Sequence, residues 1–185
     1  MKRILLVVVA LFLSASVAFA APTRQKWTAG WDNFNEPLNY KTSYVSWTVN
    51  PATSKLSATF KLVGATPNKL YQVSATIFCT TFPPTFGQFP TGTWPNGGNC
   101  YGPITRQGVT ETITEVALGV VLTDLYGNGS FAVVVGPIAA GTYELEFDAI
   151  DGTGCGGLIG GADDCQKDFQ SPGPIFGDGI TITVP

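Results

Sequence analysis

Apolar and polar residues alternate along much of the chain with a period of two, the spacing that places every second side chain on one face of a β-strand. Val45, Trp47 and Val49 interleave with Ser46 and Thr48, so one face of this run is apolar. Asn50-Pro51-Ala52-Thr53 reads as a turn. The alternation resumes with Leu56, Ala58, Phe60 and Leu62, which predicts a hairpin with an aliphatic and aromatic inner face. Tyr71 to Phe78 predicts a further strand entering Cys79, and Ile113 to Leu122 is apolar enough for a central one. Asp124 to Gly129 turns the chain and Phe131 to Val135 returns it, a second predicted hairpin whose Gly127-Asn128-Gly129 residues suit positive φ. Tyr143, Leu145 and Phe147 alternate with Glu144, Glu146 and Asp148, the pattern of a strand with one wet face. Ile180, Ile182 and Val184 alternate with Thr181 and Thr183 as a final strand, and Trp27 to Trp31 is a candidate first one. Beyond the first twenty residues no stretch sustains a 3.6-residue period. Seven or eight short strands at this spacing predict an all-β fold, a single antiparallel β-sandwich rather than a βαβ sheet.

The N-terminus follows a different pattern. Met1-Lys2-Arg3 is basic, Ile4 to Leu13 is ten uninterrupted apolar residues, and Ala18-Phe19-Ala20 is a small-x-small site ahead of Ala21-Pro22. That order is a secretory signal peptide over residues 1–20, cleaved after Ala20. A membrane span needs about 20 apolar residues, twice this run. The expectation is export, to the extracellular space or a periplasm, of one domain over residues 21–185 with no membrane span in the mature chain.

Composition narrows the chemistry. Only 12% of the residues are charged, about half the usual share. Gly and Thr contribute 22 residues each, which favours turns and strands. Histidine is absent. That removes Ser-His-Asp and Cys-His nucleophiles, His-ligated metals and His acid–base chemistry, and no cofactor is implied. The net charge is −3, and without the first twenty residues it is −5, from 8 basic against 13 acidic side chains. Such a balance offers no footprint for nucleic acid. Cys79, Cys100, Cys155 and Cys165 form an even set in an exported chain and read as two disulfides. Three pairings are open, and proximity along the chain favours Cys79–Cys100 with Cys155–Cys165. The separations do not match the paired C-x-x-C knuckles of a zinc site. Asn128-Gly129-Ser130 is a formal N-glycosylation sequon.

Two stretches carry a resemblance. Leu62-Val63-Gly64-Ala65-Thr66-Pro67-Asn68-Lys69-Leu70-Tyr71 resembles the Leu…Pro…Tyr crossing between strands of fibronectin type III and other immunoglobulin-like domains. The resemblance implies that the Tyr71 hydroxyl bonds back to upstream backbone and fixes the corner, a structural role. Thr123 to Phe131, followed by Ala140-Gly141-Thr142-Tyr143-Glu144-Leu145, is similar to a hairpin pair in collagen-adhesin B-type repeats and transthyretin-like modules. There Gly141 would permit a tight turn and Tyr143 would open a buried strand. The chain lacks the Cys–Trp–Cys spacing of antibody-type domains. These likenesses imply an immunoglobulin-like sandwich, a fold that hosts unrelated functions.

Three places hold candidate chemistry. The segment 80–105 carries Phe82, Phe86, Phe89, Trp94 and Tyr101 among five prolines, and reads as a long loop. Its aromatics either cap the sandwich or present a contact surface centred on Phe86, Phe89 and Trp94. The Gly-rich segment 148–178 carries Asp151, Asp163 and Asp164, weak candidates for calcium whose spacing does not match the 12-residue calcium loop, so no metal site is assigned. Carboxylates are the remaining acid–base groups, in the pairs Asp32 with Glu36, Glu144 with Glu146 and Asp148 with Asp151. Glu144 and Glu146 would share a solvent face about 7 Å apart, but any exposed i, i+2 pair satisfies that spacing, and no catalytic residue is assigned. The readings in order are a non-catalytic structural or adhesive surface protein, a carbohydrate- or calcium-binding module, and a small glycoside hydrolase. The partner would be a protein or carbohydrate surface.

Overall fold

The computed structural model describes residues 21–30, 35–80, 101–106, 109–138, 140–151, 169–171 and 179–185, with backbone alone at 79–80, 101–106 and 109–115. Eleven strands run through them: β1 (Thr23–Lys26), β2 (Thr28–Ala29), β3 (Tyr44–Asn50), β4 (Lys55–Leu62), β5 (Leu70–Thr80), β6 (Tyr101–Arg106), β7 (Val109–Leu122), β8 (Gly129–Val135), β9 (Gly141–Ile150), β10 (Phe169–Gln170) and β11 (Ile180–Val184). There is no helix among the described residues. One sheet has the order β1-β3-β4-β8, and the other runs β2-β10-β9-β5-β7-β6 with β11 also on β9. The ladders are antiparallel.

The core lies between the two sheets and is built from the alternations seen in the sequence. Val45 and Trp47 on β3, with Leu56, Ala58, Phe60 and Leu62 on β4, meet Tyr143, Leu145, Phe147 and Ala149 on β9. Phe147 packs edge-on to Phe60 at 5.4 Å between ring centroids and lies 5.9 Å from Trp47. Each such ring stabilises the fold by about 1.5–3 kcal/mol relative to exposure. Trp27 explains why the first strand is broken. The chain pairs with β3 before it and with β10 after it, so it changes sheets there. The indole is 1% exposed, stacks over Phe60 and donates its Nε1–H to the Lys61 carbonyl at 3.1 Å.

Two connections cross between the sheets and are laced together. Residues 63–69 carry β4 to β5, and 123–128 carry β7 to β8. Thr123 binds the first crossing three times: its N–H and hydroxyl donate to the Lys69 and Thr66 carbonyls, and its hydroxyl accepts the Lys69 N–H. Gly127 adopts φ +77°, and a Cβ there would stand 1.9 Å from the Ala65 carbonyl oxygen, so only glycine fits so close to the other crossing. Asp124 closes its own turn by accepting the N–H groups of Tyr126 and Asn128.

Several expectations are corrected. Among the described residues eleven strands replace seven or eight: Thr28–Ala29 falls within the expected Trp27–Trp31, while Thr23–Lys26, Tyr101–Arg106 and Phe169–Gln170 pair without any hydrophobic run to announce them. The β3–β4 hairpin is present, but β7 and β8 are not a hairpin: β8 pairs with β4 in the opposite sheet. The initial strand starts at Thr23, not Trp27. The segment 80–105 is shorter as a loop, since Thr80 ends β5 and β6 begins at Tyr101. Pro103 lies on that edge strand at a register shift, where its missing N–H is tolerated. The segment 148–178 likewise begins inside β9 and contains β10.

Candidate functional site

The densest polar cluster surrounds Tyr71 at the β4–β5 crossing. Tyr71 is fully buried, and its hydroxyl accepts the Thr66 N–H at 3.2 Å while donating to Glu36 Oε2 at 2.8 Å. The same carboxylate oxygen accepts the Thr66 hydroxyl at 2.7 Å. Lys69 pairs with Glu36 Oε1 and reaches Asp151 Oδ2 at 2.5 Å. Three distant segments are thereby joined: the approach to β3, the approach to β5, and the end of β9. Burial pushes the Glu36 carboxyl up, but hydrogen bonds from Lys69, Thr66 and Tyr71 outweigh it and hold the group below the usual range. Burial alone would lower Lys69, yet Asp151 and Glu36 raise it well above an ordinary lysine. Burial and the bond to Glu36 both raise the Tyr71 phenol. Around neutral pH the cluster is locked as carboxylate, ammonium and neutral phenol. It holds the crossing closed and offers neither a free base nor a nucleophile.

The second cluster lies on the face of β9 away from the core, and it overturns the expectation of a wet face. Asp148 is 0% and Glu146 5% exposed, and Glu144 is half-buried with its carboxyl pushed up by burial. Asp148 Oδ2 accepts the Thr76 hydroxyl at 2.7 Å. Phe78 and Ile150 on the same face are each 1% exposed. The reason is position: β9 sits between β5 on one side and β10 with β11 on the other, and its outer face is covered as well as its inner one. The cross-strand row Gln170–Asp148–Ser74 is polar throughout, and Ser74 Oγ and Gln170 Oε1 have no hydrogen-bond partner among the described residues. Among the described residues, no group of three His, Cys, Asp or Glu side chains is gathered to hold a metal ion.

The other sequence candidates distribute as follows. Gly141 opens β9 opposite Val184, and Tyr143 is 1% exposed in the core. Asp151 is taken up by Lys69. Cys79 lies on β5, with its side chain outside the described residues. Cys100, Cys155, Cys165, Phe86, Phe89, Trp94, Asp32, Asp163 and Asp164 also lie outside them. Sequence reasoning passed over Lys69, the centre of the first cluster. Its one signal was its place in the Pro67-to-Tyr71 crossing, where a single cation adjoins the corner tyrosine.

No protein-family model and no curated protein matches the chain. A solved structure from a study of pH-induced modulation of Streptococcus parasanguinis adhesion by Fap1 fimbriae aligns with 89% of this chain and 90% of that one, at 15% identity and a TM-score of 0.27. These values carry neither structure nor function from one chain to the other.

Proposed function

We propose that the chain is an exported, non-catalytic structural or adhesive protein of a surface, built on an immunoglobulin-like sandwich. The observation that supports this is an apolar end. Leu70, Val120, Leu122, Leu125 and Tyr126 are 50%, 46%, 63%, 62% and 73% exposed around the β7–β8 crossing. Leu70 and Leu122 are direct cross-strand partners, so their side chains adjoin. Large apolar groups gathered on a surface otherwise rich in Thr and Ser mark a contact site. Among the described carboxylates, Glu36 and Asp151 hold Lys69, and Asp148 accepts from Thr76.

The test is the state of the protein on its native surface or in its medium, read by size and cross-linking, for wild type and Leu122→Asp. The expected result is an assembled or surface-bound wild type and a released Leu122→Asp with an unchanged melting temperature. A wild type that is monomeric and unbound, or a variant that assembles like it, overturns the proposal.

A further inference from the structure

The outer face of the β1-β3-β4-β8 sheet carries a concentration of positive charge that the acidic composition does not foreshadow. Lys26, Tyr44 and Lys61 stand directly opposite one another on β1, β3 and β4. Arg24 lies one pair along the same face, with its guanidinium carbon 3.9 Å from the centre of the Tyr44 ring. Lys61 Nζ approaches the ring to 5.7 Å. Together with Lys41, Thr42 and Ser43 these residues line a hollow of about 380 Å³. Four of the chain's ten basic residues therefore meet in one place. Among the described residues no carboxylate lines the hollow, and the ion pairs Lys69–Glu36 and Lys69–Asp151 involve none of these four cations.

Four cations gathered with no carboxylate among the described lining residues repel one another, and Tyr44 offsets only part of that by holding Arg24 and Lys61 against its ring. Such a cluster of cations suits an anionic ligand. Its size follows from the geometry. Adjacent strands stand about 4.8 Å apart, so Lys26 and Lys61 are roughly 10 Å apart across Tyr44. The volume is at the lower end of the range for organic-ligand sites, well above what one inorganic ion fills. Spaced cations with Thr42 and Tyr44 hydroxyls among them suit a chain of sugars that bears well-separated charges. Nucleic acid, with a charge about every 1.7 Å of duplex, would meet the net negative charge of the rest of the molecule. A lipid surface would ask for exposed apolar side chains beside the cations, and among the described residues the hollow is lined by none but Tyr44.

We infer that this hollow is a binding site for an anionic polysaccharide, one bearing carboxylate or sulfate groups, with Arg24, Lys26 and Lys61 as its principal contacts. The site is separate from the apolar end, so loss of polysaccharide binding with assembly intact overturns this inference alone.

The experiment measures binding of the full exported chain to dextran sulfate, polygalacturonate and neutral dextran at low and physiological salt. Wild type should bind the two charged polymers and not the neutral one, more weakly as salt rises. Arg24→Gln with Lys61→Gln should weaken binding about tenfold or more, equivalent to about 1.4 kcal/mol. Lys61→Gln alone should weaken binding severalfold, whereas Lys55→Gln, which removes the same single charge at the far end of the same face, should stay within about twofold. Melting curves confirm that the variants are folded, and Lys26→Gln replaces any that is not. Absence of binding to both charged polymers, or an equal loss in Lys55→Gln, overturns the inference. So does inorganic sulfate competing as well per charge as dextran sulfate, or tighter binding to phosphatidylserine vesicles or single-stranded DNA.

Discussion

At the scale of single residues, Tyr71 shows how one side chain can join three segments. Its ring is in the core and its hydroxyl lies between a backbone N–H and a carboxylate. A bond to an ionised acceptor is worth more than a neutral one, so Tyr71→Phe should cost about 1.5–3 kcal/mol in urea unfolding. Tyr71→Ala should cost about 3–5 kcal/mol because it adds a cavity. A melting temperature like wild type for Tyr71→Ala would refute the corner role. Glu36 makes the same cluster pH-dependent. Its pKa is held down in the folded state, so its contribution is present above the ordinary carboxylate value of about 4.3 and is lost as pH falls through the folded value. Lys69 is raised, so its contribution is complete below about pH 10.4 and fades only at higher pH. The stability difference between wild type and Glu36→Gln should therefore be level from about pH 6 to pH 9 and shrink below about pH 4. A difference that grows on acidification would mean that Glu36 is not the group holding the corner.

At the scale of elements, β9 differs most from its appearance in the sequence. It takes β5 on one edge and both β10 and β11 on the other, and neither of its faces is wet from Tyr143 to Ile150, Glu144 being half-buried. The buried Asp148 carboxyl takes a donor from the neighbouring strand β5. Thr76→Val keeps the shape of the side chain and removes the hydroxyl that Asp148 accepts. It should cost about 1–3 kcal/mol, since the carboxylate loses a bond without leaving its buried position. Thr183→Val, at an exposed position of β11, should stay within about 0.5 kcal/mol. Equal effects in thermal unfolding would mean that the outer face of β9 is solvated after all.

At the scale of the whole molecule, the two sheet crossings meet at one end and are bonded to each other through Thr123, Asp124 and Gly127. The Lys69 cluster fastens the end of β9 to the same place. One end of the sandwich is thus closed by polar bonds while it displays Leu122, Leu125 and Tyr126 outward. If the chain is exported and carries two disulfides, mass spectrometry of secreted material should find Ala21 first and a mass four hydrogens below the reduced form. Losing either bridge should cost about 2–5 kcal/mol. Material retaining Met1, or free thiols throughout, would count against export and bridging.

The sequence by itself determined which face of most strands is apolar, where the β3–β4 turn lies, and that residues 62–71 change direction, because period-two alternation and turn residues are local properties. It also placed Trp47, Phe60 and Phe147 on the apolar face of their strands, where each is buried. Only the tertiary structure decided which strands pair. Leu122 and Phe131 are nine residues apart, yet their strands belong to different sheets, and nothing local distinguishes a hairpin from a crossing. It decided that Glu146 and Asp148 are buried, because alternation records polarity and not whether a polar face is covered. It also gathered Arg24, Lys26 and Lys61, which register across three strands makes neighbours although up to 37 positions separate them in the chain. Charge spread thinly along a sequence becomes a site only when strand pairing aligns it.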